Sequence, residues 1–137
     1  MSSDAPLVFV YGTLRSDGEM HHLLGDVRCG PATATGCLWR MPAGYPAMSL
    51  EGHGTVHGEW AGPVDPTRLS LIDVYEGVGE GLYQRTTVTL TTPSGAHLDA
   101  VAWVMRNPDL RGGRPIPSGR WVAPPRHRRG PDPQTLD

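Results

Sequence analysis

The stretch Leu7-Val8-Phe9-Val10-Tyr11-Gly12-Thr13-Leu14-Arg15 decides how this chain is read. Its first five residues form an unbroken apolar run rich in β-branched and aromatic types, the pattern of a strand buried on both faces, which belongs in the middle of a sheet. The run breaks at Gly12. A glycine directly after a buried strand lets the backbone turn sharply and approach a ligand closely, so that the amides of Gly12, Thr13 and Leu14 can point at a negatively charged oxygen. Residue types alone leave two readings open, a plain strand-to-turn junction and an oxygen-binding loop.

Outward from this stretch the chain reads as β-rich. With 137 residues it suits one domain, and 18 glycines and 14 prolines against 38% hydrophobic residues point to turns and short strands rather than a helical bundle. A short helix over 19–24 is stopped by Gly25, and strands are expected over 35–41 and 55–61 around a loop containing Gly44, Tyr45 and Pro46. The clearest helix starts at Asp65 as N-cap with Pro66 in the tolerated first position, and runs through Leu69, Ile72 and Tyr75 to a stop at Gly77. Residues 83–91 and 98–105 form a hairpin that turns at Pro93, Ser94 and Gly95. The domain is expected to span 1–121. Residues 122–137, rich in proline and arginine and poor in apolar side chains, are expected to be a disordered tail.

Several function classes recede on composition. The net charge is −2, all twelve basic residues are arginines, and nothing general points to nucleic acid. No apolar stretch reaches the length of a membrane span and the first residues lack the make-up of a signal peptide, so the expected location is cytoplasmic. Cys29 and Cys37 are too few for a disulfide framework and are read as reduced. His53 and His57 have the spacing of a helical metal pair, but Gly52, Gly54 and Gly58 argue against a helix there, so no metal is expected. Gly77, Gly79 and Gly81 follow a helix rather than a strand, the wrong order for a dinucleotide fingerprint, and read as a loop. The arginines at 111 and 114 and at 126–129 could touch phosphates, without a basic surplus to support it.

Glu76 is the residue hardest to explain structurally. It follows Ile72 by four positions and Leu69 by seven, so on a helix its carboxylate shares the face those side chains bury. Burial and the negative end of the helix dipole both raise a carboxyl pKa towards neutrality, where the group can carry protons. The plain alternative is a glutamate that frays outward or caps a loop amide.

The motifs Tyr11-Gly12-Thr13-Leu14, Gly44-Tyr45-Pro46, Gly58-Glu59, Asp73-Val74-Tyr75-Glu76-Gly77, Tyr83-Gln84-Arg85 and Ser118-Gly119 occur in the order of a known family. Over about residues 7–121 the chain resembles the γ-glutamylcyclotransferase-like (AIG2-like) proteins. The resemblance implies an α+β fold, a small mixed β-barrel with a few short helices enclosing a cavity, and no cofactor. It implies an enzyme that cyclises a γ-glutamyl group to 5-oxoproline and releases an amine or amino acid, with a small-molecule γ-glutamyl substrate as the partner. By the same resemblance Glu76 is the catalytic acid/base, the loop Tyr11, Gly12, Thr13 and Leu14 holds the glutamyl moiety, and Tyr45 and Tyr83 lie near it. Relatives often carry an acidic residue after the Ser118-Gly119 pair, where this chain has Arg120. A non-catalytic binding or scaffold module with the same cup is the competing reading, and the oligomeric state is left open.

Overall fold

A computed structural model describes residues 5–122; the tail expectation therefore falls, beyond Val122, outside the described residues. Five strands close into a barrel in the order β1 (Val8–Val10), β5 (Thr55–Gly62), β2 (Arg28–Thr35), β6 (Gln84–Thr91) and β7 (His97–Val104). A second sheet of three strands has β3 (Cys37–Arg40) between β4 (Pro46–Ser49) and β8 (Arg114–Pro115). One α-helix, α1 (Pro66–Tyr75), and short 3-10 turns complete the α+β fold.

Strand β1 sits where the sequence places it, between β5, with which it runs antiparallel, and β7, with which it runs parallel and closes the barrel. Its alternate residues feed two different cores, which is why the run is apolar on every position. Phe9 and Tyr11 pack with Ala32, Ala34, Val56, Ala100 and Ala102, where alanines leave room for the two rings. Val8 and Val10 pack on the other face with Leu69 and Ile72 of α1, Ala61 and Trp103. The helix is held as its ends require. Asp65 accepts the Arg68 N–H at 3.0 Å as N-cap, Pro66 occupies the first turn, and Gly77 takes a left-handed conformation just past the C-terminal end.

Four expectations are corrected. The strand expected over 35–41 is broken at Gly36, and β3 covers only Cys37–Arg40; the residues before it form the long strand β2, which was not foreseen. Pro31 sits inside β2 because that strand is laddered with β5 along its length but with β6 only at Thr33, so the missing N–H is not needed. Pro46, expected in a loop, begins β4, the edge strand of its sheet, another position where proline is tolerated. The segment at 19–24 is a 3-10 turn over His21–Leu24 rather than an α-helix, and Val78–Glu80 forms another inside the expected glycine loop.

Candidate active site

The end of β1, the start of β4 and the C-terminal end of α1 meet at a cavity of about 280 Å3. All seven residues singled out from the sequence line it: Tyr11, Gly12, Thr13, Leu14, Tyr45, Glu76 and Tyr83.

Glu76 caps α1 with its own N–H bonded to the Ile72 carbonyl at 2.8 Å, so the helical spacing from Leu69 and Ile72 carries through to its side chain. The carboxyl makes no hydrogen bond or ion pair among the described residues. Burial raises its pKa from the ordinary carboxylate value to about 7, the condition under which one carboxyl can both accept and donate a proton near neutrality.

Also lining the cavity, the loop after β1 is folded by its carbonyls. Gly12 accepts from the Arg15 N–H at 3.1 Å and from Arg15 Nε at 3.3 Å, and Thr13 accepts from the Met20 N–H at 2.9 Å. The N–H groups of Gly12, Thr13 and Leu14, in contrast, have no acceptor among the described residues. Three consecutive unbonded amides thus border the cavity. Gly12 is required here for a reason the sequence did not reveal. A Cβ at this position would lie 2.7 Å from Cγ of Pro46, so the space beside the glycine is filled by the proline ring of β4 rather than left open for a ligand.

The tyrosines divide by what their hydroxyls do. Tyr11 donates to the Trp103 carbonyl at 2.7 Å and accepts the Met48 N–H at 3.1 Å; burial, the nearby Glu76 and the hydrogen bond from Met48 act on it in that order, with a net upward shift. Tyr83 donates to the Pro46 carbonyl, and its pKa too is raised, chiefly by burial. Both hydroxyls are thus committed to the backbone, leaving ring surface for a ligand. Tyr45 stacks obliquely on Tyr83 with ring centroids 6.4 Å apart. Replacing Tyr11 by phenylalanine strands a buried carbonyl and a buried N–H, and is expected to cost about 2 kcal/mol of stability, read by denaturant unfolding, with little change in turnover.

Sequence reasoning missed the roles of Tyr75 and Trp103, which also line the cavity. The Tyr75 hydroxyl is 2.8 Å from Thr13 Oγ1 and joins the helix end to the β1 loop. Trp103 donates from Nε1 to Asp73 at 2.8 Å, and the other Asp73 oxygen lies 3.5 Å from Arg85. Tyr75 could have been picked out by its place beside Glu76; the Trp103 contact spans 30 residues and has no local signal. Among the described residues no group of three or more His, Cys, Asp or Glu side chains gathers to hold a metal ion, and Cys29 and Cys37 are free thiols. No helix among them is long and apolar enough to cross a membrane.

With this geometry in place, a family model described as gamma-glutamyl cyclotransferase, AIG2-like, matches residues 8–123. The chain belongs to that family. A Vibrio cholerae protein provisionally named a gamma-glutamylcyclotransferase is 40% identical over 105 residues, covering 72% of this chain and 78% of its own length. Bacillus subtilis YkqA shares 29% identity and superposes with a TM-score of 0.68 over 85% of this chain, which spans only 39% of the larger Bacillus protein. A mouse AIG2-like protein, at 21% identity and a TM-score of 0.66 over 90% of this chain and 98% of its own, shares the fold. The cavity therefore lies in a gamma-glutamyl cyclotransferase, AIG2-like fold, and the membership supports an enzyme acting on a small molecule.

Proposed function

We propose that this chain cyclises a γ-glutamyl group to 5-oxoproline and releases the attached amine, with Glu76 as general acid/base. The observation that carries the proposal is the placement of the Glu76 carboxyl and the unbonded amides of Gly12, Thr13 and Leu14 on the walls of one cavity. In the reaction the α-nitrogen of the glutamyl group bonds to its own γ-carbonyl carbon, and the bond from that carbon to the amine nitrogen breaks. One of the three protons of the α-ammonium stays on the ring nitrogen. The other two pass through Glu76 to the departing nitrogen, which leaves as an ammonium, and Glu76 ends as it began. The charge that develops on the γ-carbonyl oxygen is met by the loop amides. Because the attack is intramolecular, a cavity that folds the substrate back on itself supplies up to roughly 7–11 kcal/mol of the barrier through alignment.

The test is release of 5-oxoproline from a panel of γ-glutamyl amines, amino acids and peptides. Turnover of at least one member is expected, whereas tight binding without turnover across the panel would favour the binding-module reading. Glu76 must be ionised to take the first proton, so kcat/KM is expected to rise as pH increases through about 7. A profile flat across that range contradicts the assignment.

A further inference from the structure

The Gly58-Glu59 pair, one of the motifs that mark the family resemblance, has no part in the cavity wall. Glu59 nevertheless reaches the β1 loop twice. In the β1–β5 ladder it is the partner of Val10, the last residue of β1. Beyond Val10 the chain leaves the barrel, makes the Tyr11–Arg15 turn, and returns at Ser16 to the same glutamate. There the Ser16 N–H donates to Oε1 at 2.7 Å and the Ser16 hydroxyl donates to Oε2 at 2.7 Å. Both carboxylate oxygens are committed to Ser16, while the Arg15 side chain turns to the Gly12 carbonyl and Asp17. The loop is thus closed at both ends on one residue, with the three unbonded amides between the closures.

We propose that Glu59 is a positioning residue that clamps the Gly12–Leu14 amides in the orientation the reaction needs. This rests on the cyclisation reading for its effect on rate, but not for its effect on the loop. Glu59 does not line the cavity, so it acts through the loop and not on the substrate. Carboxylate acceptors form shorter and stronger hydrogen bonds than neutral ones, which suits a closure made in water at the exposed Ser16.

The experiment compares Glu59→Ala, Glu59→Gln and Ser16→Ala with the parent chain by amide hydrogen exchange and by steady-state kinetics. Glu59→Ala is expected to speed exchange at the Arg15 and Met20 amides, which bond within the loop to Gly12 and Thr13. It is expected to lower kcat about 10- to 100-fold, the scale of a misplaced oxyanion donor, with little change in KM and with the inflection near pH 7 kept. Glu59→Gln still accepts from the Ser16 N–H and is expected to recover most of both, and Ser16→Ala to fall between. Unchanged exchange in Glu59→Ala overturns the clamp. Faster exchange with unchanged kcat overturns its role in the reaction. A parent chain that turns over nothing overturns the cyclisation reading instead, and the clamp then stands or falls on exchange alone.

Discussion

Glu76→Gln is expected to lower kcat by about 10³-fold while making the protein more stable at about pH 8. The first effect follows from the loss of the proton carrier. Glutamine keeps the size and polarity of the side chain but can neither remove a proton from the α-ammonium nor return one to the departing nitrogen. The second follows from linkage. Folding raises the Glu76 pKa from 4.5 to about 7, so between those values the native state holds a proton that the unfolded chain has already lost. Stability from this group is therefore greatest below pH 4.5, declines as pH rises through the window, and is lowest above about 7. Removing the ionisation is expected to return on the order of 2 kcal/mol at about pH 8. Activity assays and thermal melts of both forms across pH check the two effects together. A variant that keeps turnover, or one that gains no stability at high pH, would contradict the role or the burial respectively.

The second large effect is on the fold. Gly119 has a left-handed φ of 69°, and a Cβ there would lie 1.8 Å from the Thr55 carbonyl oxygen, a backbone atom with nowhere to go. Its own carbonyl accepts the His57 N–H at 2.8 Å and its N–H bonds to the Ile116 carbonyl at 2.9 Å. Gly119→Ala must break this junction, which leads directly to the buried Trp121. We expect a loss of about 3 kcal/mol or more and a fall in Tm of roughly 10 °C, measured by calorimetry. The neighbouring position is different in kind. Arg120 is exposed; its backbone N–H donates to Ser118 Oγ at 3.3 Å, and its charge, after burial, helps to lower the pKa of His57.

These cases show which parts of the molecule were legible in its sequence. Residues whose role is set by near neighbours could be read directly. The apolar run of β1 and the Asp65 and Gly77 ends of α1 are of this kind, as is the Glu76 side chain in step with Leu69 and Ile72. Residues whose role is set across the fold could not. Pro46 reads as a loop residue because the sequence does not reveal which strand lies at the edge of a sheet. The need for glycine at position 12 comes in part from Pro46, more than thirty positions away in the chain, which no local pattern reveals. Trp103 joined the site only through Asp73 and the closure of the barrel by β7.

The Tyr11 hydroxyl has a consequence beyond the cavity. Its two partners belong to different sheets, Trp103 to the barrel and Met48 to the three-stranded sheet. Prising the sheets apart would leave a carbonyl and an N–H without partners in an apolar interior, so the two layers have no inexpensive way to separate. They are expected to melt as one cooperative unit. A cavity bounded by both layers is then open before any substrate arrives, and binding need not be spent on assembling its walls.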